Sequence, residues 1–280
     1  MSPGDILVRQ DGAVRVLIIN RPARRNAMTT AAAERLRREL DQAAADPETG
    51  AVVLTGADGH FSAGGDGADI LAASGDGEEG ATRLMHVFHQ LVETVWAAAL
   101  PVVAAVSGVA YGGGFNLALA CDLVVCSADT RFCQVFVRRG LVPDLGGAYL
   151  LPRLVGMQRA KQLMLLAPEI DAASALQLGL VNAVLPDPQE ALAHAIALAA
   201  ELAGGQRTAI AEAKRLLNAS TGGTLQESLG LEAEIQAALL RSEPVQRSFR
   251  DFLADRASPA GHADPAGHAD PAGQAGRADR

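Results

Sequence analysis

The sequence predicts an α/β fold followed by a helical C-terminal region, and three observations carry that expectation. Short β-branched or apolar runs (VRVLIIN at 14–20, AVVLTG at 51–56, VVAAV at 102–106, DLVVCSA at 122–128) alternate with longer Ala- and Leu-rich stretches of helical period. From about residue 145 the pattern becomes mostly helical, interrupted by one short strand-like run, LVNAVLP at 180–186. With 280 residues, 49% of them hydrophobic and 20% charged, the chain can also bury a sizeable core.

Each element has a local reason. The run 14–20 is apolar and β-branched, as a buried strand requires, and RPARRNAMTT interrupts it. Thr29 or Thr30 can then N-cap an Ala-rich amphipathic helix over 31–45. A second strand at 51–56 leads into a Gly- and Asp-rich piece, 56–80, that reads as a long loop. A helical pattern over 82–99 ends before Pro101 and the strand VVAAV, and three glycines separate that strand from the next helix. After DLVVCSA, helices are expected at 147–155, 158–167, 172–178, 188–203, 206–219 and 224–254. The last segment repeats the unit HADPAG, lacks apolar bulk and is broken by Pro and Gly, so an unstructured tail is expected there, its His262 and His268 included. These patterns divide the chain into a core over 1–200, a helical region over 201–256 and a tail over 257–280.

Charge and cysteine usage exclude several function classes. A net charge of −8 and a pI near 5.3 argue against nucleic acid as a partner. Lys161 and Lys214 are the only lysines, so the positive charge is nearly all arginine. No charge-free apolar run approaches the ~18 residues of a membrane span, and MSPGDILVRQDG lacks the apolar stretch of a signal peptide. A soluble, cytoplasmic chain with no membrane partner is expected. Cys121, Cys126 and Cys133 lack C-x-x-C spacing and read as small buried hydrophobes rather than as zinc or disulfide ligands.

The stretch YGGGFNLALACD, 111–122, demands more explanation. Glycine costs about 1 kcal/mol relative to alanine within a helix, so three in a row before good helix formers have a purpose. Free backbone N–H groups at a helix start suit an anion, whereas a tight turn or close helix–sheet packing would also call for bare backbone. The phosphate-loop pattern is absent and the glycines are not spaced for a dinucleotide. HFSAGGDGAD, 60–69, is a second glycine loop that follows a strand. Two such loops can each offer one N–H to a single oxygen and so form an oxyanion hole.

RPARRNA (21–27), FSAGGD (61–66), PVVAAVSGVAYGGG (101–114) and ALACDLVV (118–125), in that order and spacing, resemble the crotonase, or enoyl-CoA hydratase/isomerase, family from about residue 5 to 255. The resemblance implies a crotonase-fold spiral of ββα units with a C-terminal trimerisation region, assembling as a trimer or a dimer of trimers. It implies an acyl-CoA thioester as ligand, its carbonyl oxygen held by the N–H groups of Gly65 and Gly113, with Ala63 and Asp66 flanking the first donor. Asp66 and Asp122 also read as groups that orient loop and strand ends. Arg25 falls where a basic side chain meets CoA phosphate, though an ordinary solvated arginine has the same signature. No metal and no cofactor beyond the substrate's own coenzyme A is expected.

The reaction depends on acid–base groups. Hydratases of this family carry two glutamates, and the corresponding positions here are Asn116 and Phe136, which are expected to face substrate without moving protons. Asp144, in RRGLVPDLGGAYLLPRLVG, resembles the catalytic aspartate of the ring-1,2-epoxyphenylacetyl-CoA isomerase branch, although turn chemistry and helix capping would also use an aspartate there. The sequence therefore points to an acyl-CoA isomerase that shifts a double bond or rearranges an epoxide. Hydration, dehalogenation, thioester hydrolysis and silent acyl-CoA binding are the rivals.

Overall fold

The structure, a computed structural model, describes residues 4–257. The chain opens with a hairpin, β1 (Ile6–Asp11) and β2 (Val14–Ile19), of which β1 was not anticipated. Its last four residues are all exposed at the sheet edge, so it lacks the apolar run that marks the buried strands. Helix α1 (Thr30–Ala45) is capped by Thr29, whose hydroxyl accepts from the Ala32 N–H, and it leads to β3 (Ala51–Gly56). The segment expected to be a long loop instead contains α2 (Gly67–Gly75) and the start of α3 (Gly77–Ala97). Asp66 supplies what composition concealed, since its carboxylate caps α2 by accepting from the N–H groups of Ala68 and Asp69.

Next come β4 (Val102–Val106), β5 (Val109–Tyr111), α4 (Gly113–Ala120), β6 (Leu123–Ser127), β7 (Arg131–Cys133) and α5 (Gly147–Leu165). Helix α5 is kinked at Gly156, so the two helices expected there are nearly continuous. The remainder comprises β8 (Glu169–Asp171), α6 (Ala172–Gln177), β9 (Ala183–Leu185), α7 (Pro188–Ala203), α8 (Arg207–Ser220), α9 (Leu225–Leu240) and α10 (Glu243–Ala257). The single long helix expected over 224–254 is broken at Arg241–Ser242, just before Pro244, which lacks the N–H that an unbroken helix would use. The expected tail lies outside the described residues beyond Ala257.

Six strands form one sheet in the order β1-β2-β3-β4-β6-β9, parallel from β2 onward, and three form another in the order β5-β7-β8. The chain visits the sheets in turn: β4 then β5 then α4, and β6 then β7 then α5. The first turn of this ββα spiral is abbreviated. After β3, Ser62 makes a single parallel bridge to Ala110 of β5 before the chain enters α2. That bridge carries the loop 60–66 to the start of α4.

Both faces of the large sheet are covered, which explains its apolar runs. Leu17, Leu54, Val102 and Val124 pack with Leu36 and Leu40 of α1 and Leu91 of α3. On the other face Val16, Val53, Val103 and Val125 meet Ala195 and Ala199 of α7. The chain divides into a compact unit ending at Ser228 and another beginning at Leu229, so the division falls inside α9. The boundary expected between 200 and 201 lies within α7. Among the described residues no helix is long and apolar enough to cross a membrane.

One ion pair, its lysine buried and its aspartate partly open to water, fastens α8 to the sheet. Lys214 Nζ donates to Asp122 Oδ2 at 2.7 Å and to the carbonyls of Val95 and Leu100 at 3.0 and 3.3 Å. Burial lifts the Asp122 carboxyl above its usual range, against the opposing pull of Lys214. Asp122 also accepts from the Val102 N–H at 2.8 Å, so it joins the starts of β4 and β6 as the sequence suggested. Lys214→Met is expected to lower unfolding free energy by about 1–2 kcal/mol in urea titrations, because the buried amine's bonds are lost while the Asp122 carboxylate keeps access to water. The loss should shrink when Asp122→Asn is introduced as well; an equal loss in both backgrounds would assign it to packing alone.

Candidate active site

The glycine triplet is built for close approach, but its three members differ. Gly112, the N-cap of α4, has φ 51°, a left-handed conformation that side chains disfavour. A Cβ on Gly114 would lie 2.4 Å from the Ser62 carbonyl oxygen, so the helix start rests directly on the backbone of the other glycine loop. Gly113 has no such structural need. A Cβ there would meet Leu145 Cδ1 at 3.4 Å and Asp144 Oδ1 at 3.6 Å, both ordinary contacts. Its bare backbone therefore serves the space above it, a cavity of about 890 Å³ that Gly65, Gly113 and Asp144 line together.

Among the described residues, neither the Gly65 nor the Gly113 N–H has a protein acceptor. Gly113 is the first residue of α4, whose leading N–H groups have no carbonyl of their own turn to bond. Gly65 is held in place from both sides, since Gly64 O accepts from Met28 N at 2.8 Å and Asp66 N donates to Met28 O at 2.8 Å. Arg21 bridges Asp66 at 2.9 Å. Burial alone would raise the Asp66 carboxyl, yet Arg21 and the two capping N–H groups hold it below its ordinary value. Asp66 thus anchors the loop and is not among the cavity-lining residues.

Asp144 is the carboxylate in the cavity lining. Its Oδ1 is buried without a hydrogen-bond partner among the described residues, and burial pushes its pKa from 3.8 up to about 6, partly offset by its own backbone N–H. The turn that presents it is strained: Leu145 and Gly146 both have positive φ, 45° and 73°. A leucine in this left-handed region costs about 1–2 kcal/mol, a cost that its burial against Gly113 offsets.

The other predicted site residues fall in different places. Arg25 and Ala63 line the cavity, and their backbones are linked, Ala63 N donating to Arg25 O at 2.9 Å. The Arg25 side chain is exposed, with Arg138 and Arg139 also on the cavity lining. Phe136 forms part of the wall with Ile70, Leu84 and Phe88. Asn116 is fully buried and outside the lining; its amide donates to the Asp144 carbonyl oxygen at 2.8 Å. Sequence reasoning missed Tyr111, which lines the cavity and hydrogen-bonds Glu169, its hydroxyl pKa pushed up to about 12 by burial and by that carboxylate. Its place immediately before the glycines was the available signal.

With the geometry in view, comparison with known proteins is informative. The enoyl-CoA hydratase/isomerase family model matches residues 9–260. A protein of Rhodobacter capsulatus named "Probable enoyl-CoA hydratase" is 37% identical over 86% of this chain and 91% of its own. The 1,2-epoxyphenylacetyl-CoA isomerase of Escherichia coli is 33% identical over 90% of this chain and 96% of its own. The crystal structure of an enoyl-CoA hydratase from Polaromonas sp. JS666 superposes with a TM-score of 0.85 at 31% identity, covering 90% of this chain and 97% of that one.

Gly113→Ala and Gly114→Ala should separate site from scaffold. Gly113→Ala is expected to fold with little change in melting temperature, while its methyl, 3.6 Å from Asp144 Oδ1, narrows the cavity beside that carboxylate and lowers turnover by about 10-fold. Gly114→Ala should lose stability first, because its methyl meets a carbonyl at 2.4 Å. Near-normal turnover in folded Gly113→Ala would show that the ligand does not need the space beside Gly113.

Proposed function

The chain belongs to the enoyl-CoA hydratase/isomerase, or crotonase, family, and from that premise we propose that it is an acyl-CoA isomerase with Asp144 as its proton carrier. The thioester carbonyl oxygen accepts from the Gly65 and Gly113 N–H groups, which stabilises the enolate formed when a proton leaves carbon. Asp144 takes that proton from one carbon and returns it two carbons away, and the double bond moves with it. The observation that carries this reading is a lone carboxylate, with a pKa near 6, beside Gly113. The same group can assist epoxide opening in an aryl-derived thioester, the substrate class named for the Escherichia coli relative. Arg25 serves the CoA phosphates from the exposed end, and the chemistry needs no cofactor beyond the coenzyme A of the substrate.

Hydration of an enoyl-CoA is the second reading, and the names of several relatives favour it, since they read as hydratases or probable hydratases. The cavity argues the other way. Water addition asks for one group to activate water and one to protonate carbon, whereas Phe136 occupies one expected glutamate position and buried Asn116 the other. Incubation with 2-enoyl- and 3-enoyl-CoA in deuterated water distinguishes the two: isomerisation with label exchange supports the first, and predominant 3-hydroxyacyl-CoA the second.

Asp144→Asn should still bind acyl-CoA but lose about 10²–10⁴ in isomerisation rate. In the wild type, kcat/KM should rise as pH passes about 6 and then level off, because the base must be ionised. Stability should move oppositely. Between 3.8 and about 6 the folded chain retains a proton that the unfolded chain has released, so wild-type stability falls as pH rises through that window. Above it, Asp144→Asn is expected to be the more stable protein in thermal melts, by up to about 3 kcal/mol. Retention of most isomerase activity by Asp144→Asn would overturn the mechanism.

We also propose assembly into a trimer or a dimer of trimers. The exposed apolar side chains Leu229 on α9 and Phe249 and Leu253 on α10 support it. Light scattering on a chain ending at Arg256 should give the same oligomer as the full chain. A well-folded monomer, or loss of assembly on trimming, would contradict this.

A further inference from the structure

Asn116 stands where a hydratase glutamate would project into the cavity, yet its side chain points into a buried polar chain. Its Nδ2 donates to the Asp144 carbonyl oxygen at 2.8 Å, and its Oδ1 accepts from Gln134 Nε2 at 2.7 Å. Both side chains are buried, with exposures of 0% and 1%. The amide orientations follow from chemistry: a carbonyl can only accept, so Asn116 must present its NH₂ to Asp144 and its oxygen to Gln134. Gln134 must then offer its own NH₂, which leaves its Oε1 buried without a partner among the described residues.

Each member of this chain belongs to a different wall of the site. Asn116 lies on α4, whose first residue is Gly113. Gln134 is the N-cap of the 3-10 turn Val135–Arg139 that carries Phe136. Asp144 begins the turn through Leu145 and Gly146, and its carbonyl also accepts from Gly147 N at 2.9 Å. A Cβ on Gly147 would lie 2.3 Å from Asn116 Nδ2, so the fit around the amide leaves no spare room.

We infer that Asn116, supported by Gln134, is a positioning residue that sets the distance between the carboxylate of Asp144 and the N–H of Gly113. The position at which the family's hydratases carry a glutamate here holds the strut that sets Asp144 over the start of α4. This rests on Asp144 being the base. A glutamate or aspartate at 116 alone would therefore not add a second proton carrier; it would place an acceptor against the Asp144 carbonyl and displace the base already present.

Exchange and isomerisation of a 3-enoyl-CoA, followed across pH in Asn116→Ala, Asp144→Asn and the double variant, test the inference. Asn116→Ala is expected to lose about 10- to 100-fold in kcat, the scale of an ångström-sized misplacement, with KM close to wild type. Its acid limb should move below the wild-type value as Asp144 gains access to water. In the Asp144→Asn background, Asn116→Ala should cost no further rate, because nothing remains to position. Gln134→Met should reproduce the kcat loss more weakly, and it decides the matter if Asn116→Ala does not fold. A wild-type kcat and acid limb in the folded Asn116 variant, or in Gln134→Met where only that folds, would overturn the positioning role; so would an undiminished loss in the double variant. Full activity in Asp144→Asn would instead overturn the base assignment, and the strut with it.

Discussion

Everything at this site depends on two stretches of backbone lying against each other without side chains between them. Ser62 pairs with Ala110, Tyr111 N donates to Ser62 O at 3.0 Å, and the missing Cβ of Gly114 makes room for that same carbonyl. Once this contact is made, two loops far apart in sequence end side by side with unbonded N–H groups. The rest of the ββα spiral holds them there. Strands buried on both faces fix the loop ends, and the pairing of Lys214 with Asp122 ties the neighbouring strand starts to α8.

That arrangement also sets the electrostatic character of the cavity. In the proposed reaction the Gly65 and Gly113 N–H groups act as fixed dipoles, so charge appearing on an oxygen between them requires little reorganisation. Asp144 is supplied with the opposite treatment: no buried cation, one oxygen without a partner, and apolar neighbours such as Leu145. A carboxylate so placed is a stronger base than one on the surface. Asp66, three residues from Ala63, shows the contrast, since Arg21 and two N–H groups lower its basicity and leave it a structural anchor.

Much of this was legible in the sequence, for identifiable reasons. Buried parallel strands announce themselves as unbroken apolar runs, so β2, β3, β4 and β6 were expected close to where they lie. The three-residue strands β7 and β8 were not, because their residues are polar or mixed and only pairing in the second sheet makes them strands. Helix α2 was hidden by its glycines and revealed only by the Asp66 cap. At the site, the family resemblance singled out Gly65, Gly113 and Asp144, which line one cavity, but not the direction in which Asn116 points. Its orientation follows from Gln134 and the Asp144 carbonyl, partners distant in sequence whose meeting no local pattern records.

The interlock of Asn116 with Gly147 bears on how such a site can change over generations. A side chain at 147 is excluded while the asparagine amide occupies that space, and the amide is retained because the strained turn beside it needs support. Substitutions at 116 and 147 are therefore expected to be epistatic: a side chain at 147 fits only once the amide at 116 has gone. The order in which two such neighbours change can thus decide which chemistry one scaffold reaches, even when every strand and helix stays in place.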